Sequence, residues 1–138
     1  MSLDENKALH RRYFEEVVNA GDPSAIDNLF APGYVGHTPG RPDVDLDGFK
    51  AAFANMTQTF SDSHVTVEHQ LADGDLVGSH INIEAVHTGP LMGLEPTGKR
   101  VNYEGMEIVR IADGRIAEFW GLIDLIGMLQ QLGVAPPT

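Results

Sequence analysis

Apolar residues recur at helical spacing through the first part of the chain and alternate through the second. Leu9, Tyr13, Phe14, Val17 and Val18 share one face of a helix capped near Asp4, and Gly21 stands where a helix end favours a left-handed residue. Asp22 before Pro23 reads as an N-cap with proline in the first turn. It opens a short helix with Ile26, Leu29 and Phe30 on one side, which Pro32 stops. Tyr34 to His37 is then a short strand. Thr38 to Leu46 contains Pro39, Gly40 and Pro42 and is predicted to be an exposed loop able to act as a lid. Asp47 caps a third helix carrying Phe49, Ala52, Phe53, Met56 and Phe60.

After Ser61 the period changes. Val65, Val67 and Leu71 alternate with polar residues, Asp73-Gly74-Asp75 makes a turn, and a long strand runs from Leu76 to His87. Gly89 to Gly98 is a loop. Strands from about Arg100 to Ile111 and from Arg115 to Ile123 are joined by Asp113-Gly114, a hairpin signal, and a last helix begins near Leu125. Residues Ala135 to Thr138 read as a frayed end. Helices followed by a meander predict an α+β domain over residues 1–138, with a curved antiparallel sheet wrapped around three N-terminal helices and a short C-terminal helix.

Composition narrows the function classes. Twenty acidic against nine basic side chains give a net charge of −11, which repels polyanions, so nucleic acid and phosphorylated substrates are not expected partners. No apolar run approaches the ~18 residues a membrane span needs, and no basic segment precedes a hydrophobic stretch at the start, so the expected location is cytoplasmic, away from membranes. The absence of cysteine removes thiolate catalysis and Cys-based zinc sites. The six histidines show no ligand spacing, and no phosphate-cradling or dinucleotide glycine pattern occurs, so neither a metal nor a cofactor is expected.

One carboxylate, Asp124, interrupts the apolar run from Phe119 to Leu129. A buried, unpartnered Asp is strongly destabilising, so it reads either as a general base in a pocket or as the N-cap of the helix that follows. Provided no bulge intervenes, strand alternation puts Trp120 and Asp124 on one cavity wall. His87 shares parity with Ile81, Ile83 and Ala85, so its ring faces inward, where an imidazole can orient a carboxylate or donate to an enolate. His37, Tyr13, Tyr34 and Tyr103 are further candidates for substrate contact. Glu107, of the same parity as Tyr103, is either a second acid in the pocket or a solvent-facing residue.

Several segments together resemble the SnoaL-like polyketide cyclases, within the superfamily of cone-shaped nuclear-transport-factor-2-like domains. They are Phe14 to Asp22, Leu29 to His37, Val86 to Gly89, Pro96 to Lys99, Arg110 to Glu118, Trp120 to Asp124 and Gln130 to Gly133. The resemblance implies a deep pocket between the concave sheet and the helices. It also implies Asp124 as the acidic base, with His87 of the His-Thr-Gly element beside it. The implied reaction is a cofactor-independent intramolecular aldol closure of a small hydrophobic polyketide-like substrate, by a protein expected to be a homodimer. Isomerisation, dehydration or epoxide hydrolysis on the same scaffold, or a non-catalytic binding or dimerisation module with a plugged cone, are the alternatives. The chain departs from the family at Ser79-His80-Ile81-Asn82, where many members carry an Arg and a large aromatic.

Overall fold

The structure, a computed structural model, describes residues 1–134; the predicted fraying of Ala135 to Thr138 lies outside the described residues. Helix α1 (Leu3–Arg12) is capped by Ser2, not Asp4. The Ser2 hydroxyl accepts from the Glu5 N–H at 3.1 Å and the Glu5 carboxylate accepts from the Ser2 N–H at 3.2 Å, a reciprocal box that Asp4 has no partner to make. The helix widens into π turns over Tyr13–Asn19, with the Ala20 N–H bonded five residues back to the Glu15 carbonyl, and ends at Gly21 with φ +64°. This keeps Leu9, His10, Tyr13, Phe14 and Val17 all buried on one side.

A 3₁₀ turn (Pro23–Ala25) and the short α2 (Ile26–Leu29) lead into β1 (Phe30–His37), which starts earlier than its sequence suggested. Helix α3 (Leu46–Thr59) follows, capped by Asp45 in place of the expected Asp47; the Asp45 carboxylate accepts from the Gly48 N–H at 2.8 Å. Then come β2 (Phe60–Asp73), β3 (Leu76–His87), β4 (Arg100–Ala112), β5 (Arg115–Ile123) and α4 (Leu125–Gln131). The turn between β4 and β5 has positive φ at both Asp113 (+50°) and Gly114 (+72°), the twist a tight hairpin requires.

The five strands are ordered β1-β5-β4-β3-β2. Strands β2 to β5 form the expected antiparallel meander, but β1 pairs parallel to β5, so the sheet is mixed. The whole intervening chain serves as the crossover that a parallel neighbour needs.

Two apolar clusters fill the concave side. The larger packs α1, its π turns, α2 and α3 on the sheet, and includes an aromatic group of Tyr13, Phe30, Tyr34 and Phe49 with ring centroids 4.7–6.0 Å apart. The smaller places Met128 of α4 and its C-cap residue Leu132 over Phe60, Ala85, Val101 and Tyr103. Gln131 fixes that helix by bonding both backbone groups of Asn102, at 2.7 and 2.8 Å.

One irregularity decides which side chains enter the concavity. Ile111 pairs with Ile116 and Arg110 with Glu118, so Ala117 is an extra residue in β5. Ile116 and Ala117 are both buried, and beyond them the alternation is reversed. Phe119, Gly121 and Ile123 turn to the concave side, Glu118, Trp120 and Leu122 to the convex one.

Candidate active site

Between α3, the π turns and the concave face of β3 and β4 lies a chamber of about 140 Å³. Its walls are mostly apolar, among them Phe14, Met56, Phe60, Ile83 and Ala85, and Glu107 is the one carboxylate among its lining residues. Glu107 projects inward because β4 alternates without interruption from Val101 through Tyr103 and Gly105 to Val109, all buried. Its side chain keeps 13% exposure, directed at a space that it shares with the rings of Tyr13 and Tyr103.

On its other side Glu107 meets His10, which is completely buried: His10 Nε2 lies 3.3 Å from Glu107 Oε1, and His10 Nδ1 lies 2.9 Å from Ser79 Oγ. The His10 ring stacks on Tyr13 with centroids 6.4 Å apart. Burial, then the nearby Glu107 charge, pushes the Tyr13 hydroxyl well above the usual phenol range, and burial pushes Tyr103 the same way. Both phenols are therefore proton-bearing donors at neutral pH.

Tyr34 is buried among Phe30 and Phe49, its ring behind the chamber wall, and its hydroxyl is raised by burial and by Glu107. That hydroxyl occupies the space a side chain at Gly36 would need. Tyr34 is thus a core residue here and not a chamber-lining one.

Asp124 is not in the chamber. It is exposed, follows the outward Leu122, and caps α4 with its carboxylate accepting from the Gly127 N–H at 2.9 Å, while its own N–H bonds the Glu104 carbonyl at 2.9 Å. The Ala117 bulge is the reason: it moves Trp120 off the cavity wall as well, leaving it 37% exposed on the convex face. A carboxylate in solvent lacks the desolvated surroundings that the role of buried base required.

His87 is inward and buried as its parity predicts, but it does not meet Asp124. It lies beside Lys99, whereas Asp124 lies beside Glu104, five residues along β4 or about 17 Å at ~3.4 Å per residue. His87 Nδ1 accepts from the Thr97 N–H at 3.2 Å and lies 3.0 Å from the Thr97 hydroxyl, so Nε2 carries the proton, and that atom has no partner among the described residues. The His87 ring sits against Phe60, 5.8 Å between centroids.

His37 also lies outside the chamber. It stacks on Trp120 at 5.2 Å and bridges two carboxylates, with Nδ1 2.8 Å from Asp43 and Nε2 2.6 Å from Glu118, which in turn accepts from Arg110 Nε at 3.1 Å. Together with the Gly36–Val44 backbone pair, this pins the Thr38–Asp45 loop to the outer edge of the sheet, and no residue of the loop lines the chamber, so it does not act as its lid. Hydrogen bonds from Glu118 and then Asp43 raise the His37 pKa, and those from His37 and then Arg110 lower that of Glu118.

The sign of the resulting pH dependence follows. The His37 contribution is complete below the unfolded imidazole value of about 6.5 and fades as pH rises through the raised folded value. The Glu118 contribution is complete above its ordinary carboxylate range and fades as pH falls. The cluster thus stabilises most between about pH 4.5 and 6.5. In thermal unfolding, wild type should exceed His37→Gln by most in that window, and the gap should close above it; a gap that widens toward pH 9 contradicts this.

Two members of the inner constellation, His10 and Ser79, are not among the residues that the sequence pattern singles out. The signals are present nonetheless. His10 shares the spacing of Tyr13, Phe14 and Val17, and Ser79 the parity of Ile81 and Ile83. Among the described residues, no three His, Asp or Glu side chains converge as a metal site would require.

The model of the SnoaL-like polyketide cyclase family matches residues 8–132. The chain belongs to that family. It is 31% identical over 108 residues to the aklanonic acid methyl ester cyclase DnrD of Streptomyces peucetius, covering 78% of this chain and 73% of the relative. It is 28% identical over 120 residues to the nogalonic acid methyl ester cyclase of Streptomyces nogalater, covering 83% and 88%. Among solved structures it superposes on AclR of Streptomyces galilaeus, provisionally described as a hydroxylase, with a TM-score of 0.89 at 29% identity over 99% of this chain and 86% of that one. IdmH of Streptomyces antibioticus, provisionally described as a polyketide cyclase, gives 0.83 at 30% over 94% and 99%. The fold is that of the SnoaL-like cyclases, α+β with a curved mixed sheet, and the family is one of enzymes.

Proposed function

We propose that the protein closes a ring in a small, largely apolar polyketide-like substrate by an intramolecular aldol reaction, with Glu107 as the base. The observation that carries this reading is a single carboxylate at the wall of an apolar chamber, flanked by protonated phenols. Glu107 takes a proton from a carbon α to a carbonyl, and the C–H electron pair moves into an enolate whose oxygen accepts from the Tyr13 and Tyr103 hydroxyls. The enolate carbon then bonds to a second carbonyl carbon of the same molecule, whose oxygen takes up the proton. The chamber is below the roughly 300 Å³ at which small-molecule sites usually begin, so a multi-ring substrate leaves part of itself at the mouth or displaces Met56. Arg110, held by Glu118 on the convex face, is not available to the acid–arginine set that epoxide opening uses.

Aklanonic acid methyl ester and nogalonic acid methyl ester, for which the two relatives are named, are the probes to use. A ring-closed product of the same mass, formed without an added oxidant or nucleotide, supports the reading. A product of different mass, or a requirement for either addition, contradicts it.

We also propose that a second copy of the chain covers the convex face of β4 and β5, where Met106, Ile108, Trp120 and Leu122 are exposed. Glu104 and Arg110 bracket Met106 and Ile108 at equal separation along β4. A twofold axis through the middle of that strand therefore places Glu104 of one copy on Arg110 of the other, with apolar groups meeting between them. In sedimentation, wild type should have twice the mass of one chain and Ile108→Glu the mass of one; a monomeric wild type overturns the assignment.

A further inference from the structure

From Glu107 a chain of polar groups runs through the apolar core to the surface, and its donors and acceptors can be fixed one at a time from the outer end. Arg11 Nε can only donate, and it does so to Gln70 Oε1 at 3.0 Å, which sets the orientation of the Gln70 amide. The opposite end of that amide, Nε2, donates to the Lys7 carbonyl at 3.1 Å and to Ser79 Oγ at 3.2 Å. With its oxygen accepting from Gln70, the Ser79 hydroxyl has one acceptor for its own proton among the described residues, His10 Nδ1 at 2.9 Å. An accepting Nδ1 leaves the proton of the neutral ring on Nε2, the atom that faces Glu107 Oε1.

We propose that Arg11, Gln70 and Ser79 form a positioning chain that holds His10 as its Nε2–H tautomer, so that the imidazole occupies one oxygen of Glu107 and leaves the other free for the substrate proton. The proposal rests on the reading of Glu107 as the base. His10 transfers no proton. It donates to Oε1 when Glu107 is a carboxylate and continues to do so when the other oxygen has become protonated, so the chain needs no rearrangement during a turnover. In the other tautomer a lone pair would face the carboxylate, and the carboxylate would turn away from a buried ring it can no longer bond. His10 is completely buried and Ser79 is 3% exposed, so water does not replace a lost link readily.

The test reads the His10 tautomer directly, by long-range ¹H–¹⁵N correlation on uniformly ¹⁵N-labelled protein, together with kcat and KM on whichever of the two methyl esters is turned over. Wild type should show neutral His10 protonated at Nε2. Gln70→Glu replaces the amide donor with a group that draws the Ser79 proton to itself. It should move protonation of His10 to Nδ1 and lower kcat about tenfold or more, with KM changed less than about threefold. Should Gln70→Glu not fold, Ser79→Ala, which removes the donor to Nδ1 with a minimal change of volume, should leave the proton on Nε2, shift the Nδ1 resonance toward that of an unbonded imine nitrogen and lower kcat in the same direction. A wild-type His10 protonated at Nδ1, or an Nδ1 resonance that neither variant moves, overturns the positioning chain. A tautomer that moves while kcat stays constant overturns Glu107 as the base and leaves the chain a purely structural feature.

Discussion

Replacing Glu107 by glutamine is expected to lower kcat by about 10²- to 10⁴-fold, the usual contribution of a positioned general base, while changing KM little. The substitution keeps the shape of the side chain and its contact with His10, but an amide oxygen is far too weak a base to take a carbon-bound proton. The effect is large because no other carboxylate lines the chamber among the described residues; Asp124 caps α4 at the surface and cannot stand in for it. Steady-state kinetics on the folded variant check this, with near-ultraviolet circular dichroism showing that the aromatic core is intact. Activity within threefold of wild type would remove Glu107 from the reaction.

The second large effect concerns the support of that site. Phe30→Ala should cost about 3–5 kcal/mol of stability, the range for truncating a fully buried phenylalanine. Phe30 is 1% exposed and stands at the centre of the aromatic group, 5.3 Å from Tyr13 edge-on, 5.2 Å from Tyr34 and 4.7 Å from Phe49. It joins the first residue of β1 to the π turns and to α3, so its loss opens a void where three elements meet. For a chain of this length the unfolding midpoint should fall by roughly 10–20 °C. A fall of less than about 3 °C would show that the aromatic group is loosely packed or collapses without cost.

The order of the elements is legible in the sequence because burial periods differ. The helical spacing of Tyr13, Phe14 and Val17, the alternation along Ile81, Ile83, Ala85 and His87, and the Asp113-Gly114 turn each have one physical interpretation. The parallel pairing of β1 with β5 is not legible, since the partner of an edge strand depends on packing between segments far apart in the chain. The site is only half legible. Glu107, Tyr13 and Tyr103 enter the chamber because their strand or helix is regular up to them. Asp124 and Trp120 do not, because a single extra residue, Ala117, exchanges the faces of β5, and Ala in a strand carries no signal of a bulge. His37 fails for another reason: it alternates with the buried Tyr34 and Gly36 of β1 and pairs with the outward Trp120, so it stands on the convex face, where Asp43 and Glu118 hold it.

Hydrogen exchange distinguishes the chamber carboxylate from the carboxylate at the helix cap as the group that removes the proton. Substrate incubated in deuterium oxide with wild type, Asp124→Asn and Glu107→Gln is followed by mass spectrometry for deuterium entering the carbon α to the carbonyl, before or with ring closure. Glu107 as the base predicts incorporation by wild type and by Asp124→Asn at comparable rates, and none above background by Glu107→Gln. Incorporation that survives in Glu107→Gln and disappears in Asp124→Asn would contradict it.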